Sequence, residues 1–144
     1  MNSIVTRFAP SPTGNLHLGG IRTALLNYII VQQVKKELPN SKFYLRIEDT
    51  DKERSKDEYK NQIIKSLKWI GIQYDGKEYI QSAKINNHID VVNELLKNGN
   101  AYKCYCSNEE IEEQKERAKQ KKIPYIYDRK WRDKSEADAP KNIK

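Results

Sequence analysis

Hydrophobic positions along the chain fall into alternating short and long groups. Residues 3–8, S-I-V-T-R-F, have the length and β-branched content of a strand. Residues 18–36 carry apolar side chains at helical spacing, with Leu18, Ile21, Leu25, Tyr28, Ile29 and Gln32 near one face. Pro39 ends that run, because proline cannot continue a helix. K-F-Y-L-R-I-E at 42–48 alternates with period two: Phe43, Leu45 and Ile47 face one way, Tyr44, Arg46 and Glu48 the other. A helix is expected over about 55–70, where Ile63, Ile64, Leu67 and Ile70 recur, with Gly71 as its stop. K-E-Y-I-Q at 77–81 reads as a short strand. A third helix fits 83–98, through Ile85, Ile89, Val92, Leu95 and Leu96, stopped by Gly99.

Strand alternating with helix over the first hundred residues predicts an α/β fold with a parallel, doubly wound sheet. Ligands of such sheets sit beyond the carboxyl ends of the strands. Two polar turns lie there, residues 9–20 and the turn at Glu48–Asp51. The character changes near residue 100. A-Y-K-C-Y-C at 101–106 reads as a strand. Ser107 is placed to cap a charged helix over 108–122, Glu110 to complete a capping box, and Pro124 to stop it. The expected organisation is therefore 1–100 and 101–144, the second piece too small for a good core of its own and fading into a flexible tail.

Composition changes this picture in a few places. With 144 residues the chain is about one domain, and 37% hydrophobic residues allow a modest core. The net charge of +7 permits an anionic partner, or reflects a Lys-rich composition and nothing more. No basic start leads into an apolar run, and no apolar stretch approaches membrane-spanning length. Cys104 and Cys106, separated by one residue, have a spacing that rarely makes a structural disulfide, so a reduced, cytoplasmic protein is expected.

The 9–20 turn, A-P-S-P-T-G-N-L-H-L-G-G, holds two prolines, three glycines and one of the two histidines. Gly19 and Gly20 stand where a helix begins, where glycine lets a ligand approach and the first N–H groups favour anions. His17 is placed to donate a hydrogen bond to a phosphate oxygen. The competing reading is a proline-rich connection with a chance histidine. No Lys follows in the P-loop spacing, so the turn is not that motif. In R-I-E-D-T-D, 46–51, three carboxylates at a strand end suit a metal or an ammonium group, while the favoured reading of Asp49 and Asp51 is a charged turn capped by Asp49. Glu48 ends a strand, shares a face with Arg46, and has Arg7 within reach of the neighbouring strand. An arginine and a glutamate flanking one pocket suit a zwitterion, guanidinium on carboxylate and carboxylate on ammonium.

R-F-A-P-S-P-T-G-N-L-H-L-G-G-I-R-T-A-L-L-N-Y, then Y-L-R-I-E-D-T-D-K-E-R-S, L-K-W-I-G-I, Y-I-Q-S and A-Y-K-C-Y-C together closely resemble bacterial glutamyl-tRNA synthetases in order and spacing. The resemblance is dense over residues 3–106 and weaker to 133. His17-Leu18-Gly19-Gly20 is similar to the family's version of the class I "HIGH" signature. The resemblance implies the first half of a Rossmann-like nucleotide-binding fold, followed by the start of an inserted α+β domain that holds the tRNA acceptor end. It implies ATP-dependent activation of L-glutamate to glutamyl-adenylate, then transfer to the 3′ end of tRNA(Glu), in a monomeric cytoplasmic enzyme. Carried over by position, His17, Gly19 and Gly20 serve catalysis, and with Ala9 and Pro10 they meet ATP. Arg7 and Ser11 bind glutamate's carboxylates, Glu48 binds its α-amino group, and Mg²⁺ accompanies ATP.

Two departures qualify these expectations. The K-M-S-K-S-like loop of the class and the second half of the fold are missing, so the chain is expected to be an N-terminal fragment with little adenylate-forming activity alone. The alternative is a non-catalytic truncated paralogue that binds ATP, an amino acid or RNA. Some family members bind zinc through C-x-C and a later C-x-H. Cys104 and Cys106 match the first pair, but the later positions are Trp131 and Asp133, a poor tetrahedral set, so no zinc is expected. Tyr102, Tyr105, Tyr125, Tyr127 and Trp131 are read as packing, with Arg129, Lys130 and Arg132 keeping a nucleic-acid face open.

Overall fold

The computed structural model describes residues 3–140, and packing divides it into two units between Asn86 and Asn87. The sequence boundary near residue 100 marks a shift in composition, whereas the packing boundary falls inside a helix. The expected flexible tail lies partly outside the described residues.

The first unit runs β1 (Val5–Phe8), α1 (Leu18–Val34), β2 (Lys42–Ile47), α2 (Asp57–Trp69) and β3 (Tyr79–Ile80). The strands form one parallel sheet in the order β1-β2-β3. Parallel neighbours need crossover connections, and α1 and α2 supply them. The fold is thus the expected α/β, Rossmann-like type, with β2 at its centre. Thr6 pairs in register with Phe43 and Phe8 with Leu45, so these side chains share a face with Ile47. Phe43, Leu45 and Ile47 are 0% exposed, beneath Ala24 and Val31 of α1 and Ile63 and Leu67 of α2. Burying each of those β2 side chains is worth about 1.5–3 kcal/mol. Arg7 pairs with Tyr44, and Arg46 with Tyr79, which sets those four on the opposite face.

The face of α1 differs from the expected one. Leu18 is 80% exposed, and Leu25 and Ile29 are also exposed, while Ala24 and Val31 are buried. The run I-R-T-A-L-L-N-Y-I-I-V is apolar on nearly every side, so periodicity does not single out a stripe. The small Ala24 allows the close approach to the sheet, and Tyr28 packs edge-on against Phe43. Gly71 ends α2 as expected: at φ +78° it lets its own N–H reach Lys68 O and the Ile72 N–H reach Leu67 O. Gly99 closes the next helix with the same pair of bonds, to Leu96 and Leu95.

A 3₁₀ turn at Ser82–Lys84 leads into α3 (Ile85–Lys97), inside which the second unit begins; α4 (Asn108–Gln120) follows. Ser107 caps α4, its hydroxyl accepting the Glu110 N–H at 3.2 Å. The capping box is only half formed, because the Glu110 carboxylate pairs with Lys130 instead of the cap. Residues 101–106 form no strand. Alternation alone does not make one, since a strand needs a partner ladder, and the described residues after Ile80 contain none. Trp131, 5% exposed, anchors this unit edge-on to Tyr105 with ring centroids 5.1 Å apart.

Candidate functional site

The 9–20 turn leaves the carboxyl end of β1 and is pinned from three sides. Glu48 N–H donates to Pro10 O at 2.9 Å, tying the turn to the end of β2. Lys56 N–H donates to Pro12 O at 3.1 Å, and Gln62 Oε1 accepts the Leu16 N–H at 2.9 Å, tying it to α2. The Gln62 amide donates in turn to Ser66 Oγ, which fixes its orientation. Pro12 is fully buried at the middle of the turn. A cleft of about 170 Å³ results, lined by Phe8, Pro10, Ser11, Gly14, Asn15, Leu16, His17, Gly20 and Ile63.

His17 is the N-cap of α1: its Nδ1 accepts the Gly19 N–H at 3.2 Å, satisfying one of the first-turn donors. With Nδ1 accepting, the proton of the neutral ring sits on Nε2, which is left to donate outward from an exposed side chain. Both glycines are sterically explained. A Cβ on Gly20 would lie 2.7 Å from Leu16 Cδ1, and one on Gly19 would lie 3.0 Å from the His17 ring. The turn therefore offers backbone N–H groups and one imidazole N–H at a helix start, the pattern that suits an anion.

The outer sheet face supplies the second part. Arg7 is exposed beside Tyr44 in register. Arg46 forms an ion pair with Glu48. The structure thus brings Arg7, Arg46 and Glu48 to one face at the carboxyl end of β1 and β2. Arg46 was absent from the expected site, although its i, i+2 spacing from Glu48 on a strand carried the signal. Ser11 and Pro10 line the cleft on the turn itself, and Ala9 precedes them.

The aspartates of R-I-E-D-T-D have structural partners. Asp49 accepts the Ser82 N–H at 2.9 Å and the Ser82 hydroxyl at 2.5 Å, capping the turn that leads into α3. Burial works against its charge, but the two Ser82 bonds outweigh burial and hold the carboxyl below its ordinary range. Asp51 accepts from the side chain and N–H of Arg54, which lower its pKa likewise. In the second unit, Cys104 and Cys106 both face the Tyr127 hydroxyl, at 3.3 and 3.9 Å. Trp131 is buried in packing, and Asp133 is exposed. Among the described residues no three His, Cys, Asp or Glu side chains converge as a metal set, and no helix is long and apolar enough to cross a membrane.

Comparison with known proteins identifies the family of the chain. The family model for class I tRNA synthetases (E and Q), catalytic domain, matches residues 3–143. A glutamate–tRNA ligase of Pelagibacter ubique is 67% identical over 144 residues, covering 100% of this chain and 30% of the relative. Glutamate–tRNA ligase 1 of Ehrlichia canis is 48% identical over 134 residues, covering 93% of this chain and 28% of the relative. Among solved structures, a glutamate tRNA ligase from Elizabethkingia meningosepticum in complex with its amino acid superposes with a TM-score of 0.69 at 32% identity, covering 86% of this chain and 25% of that one. A glutamate-tRNA synthetase from Elizabethkingia anophelis gives 0.69 at 30% identity, over 87% and 26%. The chain therefore spans less than a third of the length of these relatives.

Proposed function

The chain belongs to the family of class I tRNA synthetase (E and Q) catalytic domains, and from that premise we propose that it forms the ATP- and glutamate-binding wall of a glutamate–tRNA ligase. The reaction joins the α-carboxylate of L-glutamate to the α-phosphate of ATP, releasing pyrophosphate, and then moves the glutamyl group to the 3′ end of tRNA(Glu), releasing AMP. The observation that carries this reading is the pinned turn: a histidine whose Nδ1 caps α1, which leaves Nε2 as its donor, beside two glycines whose missing Cβ atoms make room for the His17 ring and Leu16.

Chemically, this half of the site positions and stabilises charge rather than forming a covalent intermediate. The phosphates lie against the α1 start at Gly19 and Gly20, where first-turn backbone N–H groups and His17 donate to their oxygens. Ala9 and Pro10 form the floor under the nucleotide. Arg7 and Ser11 meet glutamate's carboxylates. Glu48, steered along the outer sheet face by Arg46, accepts the ammonium. ATP enters as its Mg²⁺ complex. Asp49 and Asp51 are engaged by Ser82 and Arg54, so a Mg²⁺ accompanying ATP would be held through the phosphates rather than by these carboxylates.

The test is a chimera in which this chain replaces the matching segment of the Pelagibacter ubique ligase. Glutamate-dependent ATP–pyrophosphate exchange and charging of tRNA(Glu) are expected at rates near the parent's. Soluble, folded chimera that binds ATP yet charges no tRNA would sink the reading and leave a non-catalytic binding module.

A further inference from the structure

The thiol cluster of the second unit lies outside the site described above. Cys104 Sγ is 3.3 Å from the Tyr127 hydroxyl, and Cys106 Sγ is 3.9 Å from the same oxygen. The two sulfurs converge on one phenol oxygen, and the charge of Lys130, itself paired with Glu110, favours the ionised form of both thiols. The Tyr127 hydroxyl thus stands against both thiols and closer to Cys104, with a cationic side chain acting on the cluster. Cys104 is exposed and Cys106 half-buried, so small reagents reach the pair.

A tetrahedral zinc set does not fit here. Zinc needs four donors, and two thiols are present. The position that would bring a further ligand holds Trp131, whose indole nitrogen is buried without a partner and carries only a donor. The donor arrangement suits a nucleophile better than a metal. Reactive cysteines are accessible, have their charge stabilised by neighbours, and stand beside a resolving thiol.

We propose that Cys104 is a modification site whose nucleophilic sulfur reacts with hydroperoxides, and that Cys106 is the resolving thiol. The Cys104 sulfur attacks the terminal peroxide oxygen: an S–O bond forms, the O–O bond breaks, and the leaving oxygen takes a proton from solvent to depart as water or alcohol. Cys106 sulfur then attacks the Cys104 sulfenic sulfur. An S–S bond forms, the S–O bond breaks, and the Cys106 proton leaves with the oxygen as water. Two thiols are oxidised and one peroxide is reduced. The hydrogen bonds agree with these roles: burial opposes the Cys104 charge, but Tyr127 and Cys106 outweigh burial and lower its pKa, while burial and the Cys104 sulfur raise that of Cys106. The inference stands apart from the ATP and glutamate reading, since it uses none of the same residues.

The test uses the reduced full chain treated with hydrogen peroxide and mapped by mass spectrometry. A Cys104–Cys106 disulfide is expected in the unaltered chain, and a dimedone adduct at Cys104 in Cys106→Ser. Limiting iodoacetamide should alkylate Cys104 about tenfold faster than Cys106, and Tyr127→Phe should remove most of that preference, as expected for loss of a hydrogen bond to a charged sulfur. Equal alkylation of both thiols, a sulfenic adduct at Cys106 instead, or one bound zinc per chain that protects both thiols would overturn the proposal. The alkylation ratio in the unaltered chain decides the matter if a variant fails to fold.

Discussion

Replacing His17 separates the two uses of its imidazole. His17→Ala removes the Nδ1 acceptor 3.2 Å from the Gly19 N–H and the outward Nε2–H together. His17→Asn restores a short acceptor at the N-cap, where asparagine is among the best residues, but does not extend as far as the ring does. The cap is exposed, so its loss falls at the lower end of the N-cap range, about 0.5–1 kcal/mol. In a chain of this size that is roughly 2–4 °C in Tm. His17→Ala should therefore melt a few degrees lower, and His17→Asn within about one degree of the unaltered chain or above it. The ligand role predicts another ordering. Losing one hydrogen bond to a charged phosphate oxygen costs about 1.5–3 kcal/mol, which is roughly 10- to 150-fold in rate if the bond is made in the transition state. ATP–pyrophosphate exchange by the chimera, measured where all variants are folded, should fall by that factor in both His17→Ala and His17→Asn. Stability would then follow the cap, and activity the missing Nε2–H. Full exchange activity in His17→Asn would refute the phosphate contact and leave His17 as a cap alone. Equal melting of Ala and Asn variants would refute the cap.

Asp75 tests the architecture behind the site. Where β3 is too short to pair with the start of β2, the Asp75 carboxylate accepts the Phe43 N–H at 2.8 Å and the Asp75 N–H donates to Phe43 O at 2.7 Å, with Lys35 and Lys42 beside the carboxylate. Asp75→Ala strands a buried N–H and should cost about 2–3 kcal/mol, whereas Asp75→Asn keeps an acceptor and loses only partly exposed ion pairs, about 1 kcal/mol or less; urea unfolding followed by circular dichroism checks the order, and equal costs would contradict it. Acid sensitivity follows from the same group and Asp49. Burial opposes both charges, but their hydrogen bonds to Phe43 and Ser82 outweigh it, so both folded carboxyls lie below the unfolded value of 3.8. The unfolded chain then binds more protons, so their contribution is complete above about pH 5 and fades as pH falls through the folded values. The urea midpoint should drop between about pH 5 and pH 3, less steeply in Asp75→Asn; parallel slopes in the two proteins would remove Asp75 as a cause.

What the sequence made legible depended on whether solvent or a distant residue decided the outcome. Phe43, Leu45 and Ile47 were legible because β2 has one face in the core and one outside, and the pattern records that contrast directly. On α1 the run is apolar all round, so only packing against the sheet selects Ala24 and Val31. The alternation at 101–106 was misleading because the described residues hold no strand that pairs with it. The site shows the same division. The breakers and histidine of the 9–20 turn announced an unusual strand-to-helix junction, yet its rigidity comes from Gln62, 46 residues beyond Leu16, and from backbone bonds at Glu48 and Lys56. Asp49 likewise looked like local turn chemistry, whereas its partner is Ser82, 33 residues away. Spacing can suggest that a turn binds an anion; it cannot show that the turn is held still, and an anion site at a helix start gains its advantage over water only if the donors need not reorganise. His17 joins the two questions in one side chain. One ring nitrogen is spent on the fold, and that bond decides which nitrogen carries the proton facing the ligand. The catalytic reading of this histidine therefore depends on its structural one: without the cap to Gly19 the tautomer is free, and the outward N–H is no longer assured.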